Sequence, residues 1–314
     1  MLDIRHVLYP TDFSEASAAA LPLAVRIARE HGADLHALHA LVLHAADEAQ
    51  ADRLFPTLEE SYRELESWAG ERMSAHLEAH QAPEVTLHEA KARGFAAPAV
   101  ILEYAEEHDI DLIVMGTHGR RGLRHLLLGS VAEEVVRRAP CPVITVRRAP
   151  GLDGRRWPSR IVVPLDFSEN SELALAYAAE LAGRTGAAID IVHVVEPAAV
   201  PDPYVMGGPG LAFDLQATRE RVTETLEERA GELLGESASF EVHVEVGRSA
   251  PGIAEFASAR DADLIVMTSH GHSGLDRVLL GSVAEGVVRR ASVPLMIVKP
   301  FGENLLVEDD SRDT

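Results

Sequence analysis

Short apolar runs alternate along this chain with longer stretches in which apolar residues recur every three or four positions. This is the pattern of strands buried on both faces interleaved with amphipathic helices. His6 to Tyr9 reads as a first strand, after which Ser14 is placed to cap a helix running from about Glu15 until Gly32 ends it. Asp34 to Leu41 is a second strand, and Leu58, Tyr62, Leu65, Ala69 and Met73 mark a helix with one buried stripe. Val85 to Ala90 follows as a third strand, Ala97 to His108 as a helix and Asp111 to Met115 as a fourth strand. Ser130 to Arg138 is a last helix before a fifth strand, Val143 to Val146. The alternation then starts again, with strands at Ile161 to Pro164, Ile189 to Val194, Glu241 to Val246, Leu264 to Met267 and Leu295 to Val298. A long helix in this half turns Leu215, Val222, Leu226, Ala230 and Leu233 inward. Such alternation predicts an α/β fold: two tandem doubly wound parallel-sheet domains, each five-stranded and Rossmann-like.

The second half repeats the first in sequence as well as in pattern. GSVAEEVVRRAPCPVITV from Gly129 recurs as GSVAEGVVRRASVPLMIV from Gly281, and DIDLIVMGTHG ending at Gly119 recurs as DADLIVMTSHG ending at Gly271, both at an offset of 152 residues. VLYPTDFSE around Asp12 matches VVPLDFSE around Asp166 at an offset of 154. The expected division is a first domain at 1–148, a linker at 149–159 where Pro and Gly punctuate, a second domain at 160–301 and an acidic, frayed tail at 302–314.

Composition narrows the classes of partner. The net charge of -21 opposes nucleic acid and anionic lipid at long range. Met1 to Pro10 reads as a strand rather than a secretory leader, and no apolar run is long enough to span a bilayer, so the cytoplasm is the expected location. Cys141, the one cysteine, reads as a small buried hydrophobe, and zinc-type ligand spacings are missing, so no metal site is predicted.

Ligands of open parallel sheets bind at the carboxyl ends of the strands, near the switch in strand order. There the first copy gathers Pro10, Thr11 and Asp12 after the first strand, Ala40 near the end of the second, and a glycine loop after the fourth that includes Met115, Gly116, Gly119, Gly129, Ser130 and Val131. A glycine at a strand end lets a ligand approach the main chain, and Gly129-Ser130 at a helix start offers unpaired amides to an anion such as phosphate. The alternative is that the glycines only shape a turn and Asp12 only caps a helix. With PTDFS at the start and G-x2-G-x9-G-[ST] after the fourth strand, the chain resembles the universal stress protein family in tandem form, nearly end to end.

That resemblance implies ATP as ligand, with any Mg²⁺ arriving on the nucleotide. It implies that Asp12 reads adenine, that the Ala40 main chain flanks it, and that Met115 and Gly116 lie near the ribose. Gly119, Gly129, Ser130 and Val131 would hold the phosphates. The second copy offers Asp166, Val194, Met267, Thr268, Gly271, Gly281, Ser282 and Val283 at the matching positions. Thr268 departs from the glycine pattern; with φ below zero it fits and its hydroxyl could face the ribose, whereas positive φ strongly disfavours a β-branched residue. Arg120, Arg121, Arg124 and His125 could neutralise phosphate charge but read more readily as solvated, and His118 and His270 read as structural, since the sequence places no nucleophile beside them.

The leading functional expectation is a regulatory protein in which ATP occupancy orders Leu43 to Pro56 and the Pro- and Gly-rich loop Pro197 to Gly210, and so alters a surface seen by a partner. A dedicated enzyme is disfavoured because GxxxxGK[ST] is not found and no carboxylate is assigned to activate water, although slow ATP turnover stays open. A ligand-free scaffold stays open too: the resemblance implies that the fifth strands, Val143 to Val146 and Leu295 to Val298, pair within the chain, while association into a homodimer is not written in the sequence.

Overall fold

A computed structural model of the chain describes residues 2–42, 58–78, 85–117, 128–152, 156–196, 215–234, 239–270, 280–300 and 305–306. Ten strands form one sheet in the order β3-β2-β1-β4-β5-β10-β9-β6-β7-β8. In the first copy these are β1 (His6–Pro10), β2 (Asp34–Val42), β3 (Leu87–Gly94), β4 (Leu112–Gly116) and β5 (Val143–Val146). In the second they are β6 (Arg160–Pro164), β7 (Ala188–Val195), β8 (Phe240–Val246), β9 (Leu264–Thr268) and β10 (Leu295–Val298). The helices are α1 (Glu15–Ala18), α2 (Leu21–His31), α3 (Leu58–Glu78), α4 (Ala97–Glu107), α5 (Ser130–Arg138), α6 (Glu169–Thr185), α7 (Leu215–Leu234), α8 (Ser249–Ala259) and α9 (Ser282–Arg290). Within each copy the strands are parallel, and the order reverses between β1 and β4, or between β6 and β9, which opens a crevice at that switch.

One hydrophobic layer lies on each face of the sheet. Val7, Tyr9, Leu23 and Met73 belong to the layer under α2 and α3, and Tyr177 and Leu226 continue it under α6 and α7. Leu8, Ile113 and Val135 belong to the other, which Val192 and Val287 extend beneath α8 and α9. Cys141 is buried in that second layer.

Four local expectations change. The first helix is broken into α1 and α2 because Pro22, near the start of α2, has no N–H to carry the hydrogen-bond ladder; α6, which has no proline, runs through. Ser14 and Ser168 cap these helices by accepting from the N–H of Ser17 and Ser171, and Gly32 and Gly186 end them at φ 67° and 75°. β3 is displaced toward the C terminus, to Leu87–Gly94, because its pairing with β2 from Leu35↔Leu87 to Val42↔Gly94 sets its ends in a strand of polar alternation. Leu233 on α7 is 44% exposed; Leu234 packs on the core instead, four residues on from Ala230. The stretch read as a frayed tail is pinned at Leu305 and Leu306: buried Leu305 donates its N–H to the Tyr177 hydroxyl at 2.9 Å and accepts from Asp3 N–H at 3.0 Å, and Leu306 bridges Leu2.

β5 and β10 meet antiparallel, with Ile144 opposite Met296. These two residues are equivalent in the repeat, so the pseudo-twofold relating the copies passes through that pair.

Candidate functional site

β1 ends at Pro10, and the chain turns sharply before α1. Thr11 N–H donates to the Leu38 carbonyl at 2.8 Å, and its hydroxyl sits 3.1 Å from Ser17 Oγ while accepting from Phe13 N–H at 3.0 Å. Asp12 Oδ1 accepts from Ser14 N–H at 3.0 Å, and Asp166 Oδ1 from Ser168 N–H at 3.1 Å. One carboxylate oxygen of each aspartate therefore builds the turn.

Between those partners, Phe13 and Phe167 adopt φ 61° and 64°, a left-handed conformation uncommon for any residue but glycine. The turn delivers each ring against a histidine: Phe13 to His39 at 4.5 Å between centroids, and Phe167 to His193 at 5.0 Å. Both histidines place Nδ1 2.7 Å from a main-chain carbonyl, that of Thr11 or Leu165. A carbonyl only accepts, so Nδ1 carries the proton in each. This Phe–His pair was missed by motif reasoning. The signal was present, since both residues recur at the same 154-residue offset as Asp12 and Asp166.

At the end of β4, Thr117 N–H donates to Val146 O at 3.1 Å and Gly129 N–H to Thr117 O at 2.8 Å. The second copy repeats this clasp: Ser269 N–H to Val298 O at 3.1 Å and Gly281 N–H to Ser269 O at 2.8 Å. Gly129 and Gly281 then begin α5 and α9 in extended conformation with no side-chain cap. The first-turn amides, at Ser130 and Val131 and at Ser282 and Val283, have no intrahelical acceptor, and the positive end of each helix dipole points the same way.

Packing refines three readings of this region. A Cβ at Gly116 would lie 2.4 Å from the Ala16 carbonyl oxygen, so the close passage of α1 requires glycine there. Thr268 has no positive φ and therefore fits, but its hydroxyl donates to the His270 carbonyl at 2.8 Å rather than turning toward a ribose. A hydroxyl does stand beside His270, since Ser269 Oγ lies 3.0 Å from its Nδ1; both residues are buried, and the pair knits the turn.

In the second copy these parts enclose a cleft of 260 Å³. Asp166, Val194, Met267, Thr268, Gly281, Ser282 and Val283 all line it, together with His193, Ser249 and Ile253, which the sequence had not marked. Among the described residues no lysine or arginine lines this cleft. In the first copy Pro10 ends β1 and Thr11 and Asp12 follow it, Ala40 lies on β2, Met115 and Gly116 close β4, and Gly129, Ser130 and Val131 open α5, the same elements in the same order. Gly119, Gly271, His118, Arg120, Arg121, Arg124, His125 and the stretches Leu43 to Pro56 and Pro197 to Gly210 lie outside the described residues.

Asp190, Glu241 and His243 form a group with metal-ligand spacing, at the opposite end of the strands. Both carboxylates are already ion-paired with arginine: Asp190 with Arg160 at 2.7 Å and Arg260 at 2.9 Å, Glu241 with Arg260 at 2.7 Å. Two guanidinium groups at that range repel a cation.

Comparison with known proteins agrees with this architecture. The universal stress protein family profile matches residues 3–147 and 158–299. A universal stress protein of Mycobacterium tuberculosis (strain H37Rv) is 32% identical over 192 residues, 61% of this chain and 63% of its own length, so the chain spans under two thirds of that relative. One from Methanocaldococcus jannaschii is 33% identical over 155 residues, 47% of this chain and 85% of its own length. The crystal structure of a universal stress protein from Archaeoglobus fulgidus superposes with a TM-score of 0.60 at 22% identity, covering 94% of this chain and 98% of that one, a likeness of fold. Among the described residues no helix is long and apolar enough to cross a membrane. With both halves matched by the same profile, the chain belongs to the universal stress protein family.

Proposed function

We propose that this protein is an ATP-binding regulator of a stress response, with one adenine nucleotide in the cleft of each copy. The observation that carries the reading is the second-copy cleft, where seven expected residues converge beneath the uncapped start of α9. The triphosphate would lie against the amides of Ser282 and Val283, and of Ser130 and Val131 in the first copy, as anions do at helix N-termini. The Phe–His pairs stiffen the opposite wall, where Asp166 and Val194, or Asp12 and Ala40, would face the base. Any Mg²⁺ would arrive on the nucleotide and neutralise part of its charge.

Occupancy regulates only if ATP binds one loop arrangement better than another, which would let a partner read the difference. The paired β5 and β10 seam joins the two copies, and so the two proposed sites, in one sheet. The test is mass analysis of nucleotide released on denaturing the purified full-length protein. Adenine nucleotide at one to two equivalents supports the reading. Protein that neither retains nucleotide nor takes it up from millimolar Mg-ATP contradicts it.

A further inference from the structure

Equivalent positions at the amino ends of the strands carry opposite chemistry in the two copies. In the second, Asp190 on β7 is 1% exposed and held by Arg160 from β6 and by Arg260 from the end of α8, and Arg260 also reaches Glu241 on β8. Two guanidinium groups thus offset two carboxylates. Burial pushes the Asp190 carboxyl upward, but the hydrogen bonds from Arg260 and Arg160 outweigh it and hold the group below its ordinary value.

The same four positions in the first copy are His6, His36, His88 and His108. His36 on β2 is 6% exposed, with Nδ1 2.9 Å from the Tyr104 hydroxyl of α4 and Nε2 3.4 Å from His6 Nδ1 on β1. The His88 ring of β3 stacks on it at 4.6 Å, and the His108 ring, at the end of α4, meets it edge-on at 5.8 Å. Two carboxylates face this group. Asp34 on β2 is 3.0 Å from His88 Nε2, and Asp111 Oδ2 accepts from the N–H groups of Arg5 and His6. The second copy has two arginines offsetting two carboxylates, with one histidine, His243, 3.3 Å from Asp190 and 3.6 Å from Glu241, whereas the first has four imidazoles packed on one another.

We infer that this histidine cluster makes the first copy the acid-labile half of the molecule, mild acid loosening β2, β3 and α4 while the charge-compensated second copy holds. Burial, then the neighbouring His88, His6 and His108, lowers His36 to about 4 against an ordinary 6.5. Between those values the unfolded chain takes up a proton that the native chain refuses, so stability falls as pH drops through the window. In the second copy the arginines stay charged, and Asp190, its value depressed, keeps its charge over the same range. The inference is independent of what the clefts bind.

Hydrogen exchange of the full-length protein at pH 7 and pH 5, corrected for intrinsic rates, tests it. Protection in Asp34–Val42 and Ala97–Glu107 should fall about tenfold or more, the factor one pH unit confers on a single uncompensated histidine. The loss in Ala188–Val195 and Ser249–Ala259, to which the junction histidine His31 contributes as it does in the first half, should be smaller by about that factor. His31, which contacts Arg184 across the two copies, would weaken both halves alike and is excluded by this difference. His36→Gln keeps a hydrogen-bonding group toward Tyr104 but cannot titrate, and should shrink the acid loss. Equal losses in both halves of the wild type, or an undiminished loss in a folded His36→Gln protein, overturn the inference.

Discussion

Lys299 of the second copy donates its ε-ammonium to the main-chain carbonyl of Val136 in the first, at the last turn of α5, and reaches the Arg137 carbonyl at 3.3 Å. Arg147, its counterpart in the repeat, donates to the Arg289 carbonyl at the last turn of α9. Each copy thus places a cation at the negative end of the other's helix dipole, beside the seam where Ile144 faces Met296. Lys299→Met keeps much of the volume and leaves those buried carbonyls without their donor. It should cost about 1–3 kcal/mol in urea unfolding, and a midpoint equal to the wild type would show the contact to be idle.

Gly116 and Thr268 are equivalent by sequence and opposite in tolerance. Gly116→Ala drives a Cβ into the Ala16 carbonyl, a main-chain atom that yields only if α1 shifts, so a loss of about 2 kcal/mol or more is expected. Thr268→Val keeps the shape and gives up the hydrogen bond to His270 O, at about 1 kcal/mol. Thermal unfolding of the two variants reads this ranking, and a reversed order refutes it.

Asp190 anchors the second copy from within. Asp190→Ala leaves Arg160 and Arg260 facing a buried gap, and loss of one partner from a buried ion network costs about 3–5 kcal/mol. Equilibrium denaturation followed by circular dichroism measures it. A cost below about 1 kcal/mol would mean that solvent already screens the network.

These relationships divide what sequence can tell from what it cannot. α5, β5 and β10 match their predicted bounds residue for residue, because periodicity, helix-start glycines and an internal duplicate all point the same way there. The aspartate turns and the helix-start glycines were legible for the same reason, and all of the expected second-copy residues that the structure describes line one cleft. What stayed hidden depends on partners distant in sequence. The need for glycine at Gly116 comes from Ala16, a hundred residues earlier. The role of His39 comes from a carbonyl on β1's turn, and the burial of Leu305 from Tyr177. β3 is too polar to announce its own ends, which β2 sets.

His31 supplies a pH prediction at the junction of the copies. Burial, then the charge of Arg184, lowers its imidazole to about 4, with Arg184 Nη1 3.0 Å from its Nδ1. The native state therefore resists a proton that the unfolded chain accepts below about 6.5, and stability falls as pH drops from there toward 4. His31→Gln should flatten that part of the curve of unfolding midpoint against pH; a curve parallel to the wild type would remove His31 from the account.

The central claim, anions held by the uncapped first turns of α5 and α9, is tested most directly by titrating Mg-ATP into the full-length protein and its Ser130→Asp and Ser282→Asp variants. Both serines are exposed at helix starts, where aspartate suits the dipole, so the fold should hold or gain a few tenths of a kcal/mol. Calorimetry should find two sites in the wild type, one in each single variant and none in the double. Binding that is absent from the wild type, or undiminished in the double variant, would contradict the account.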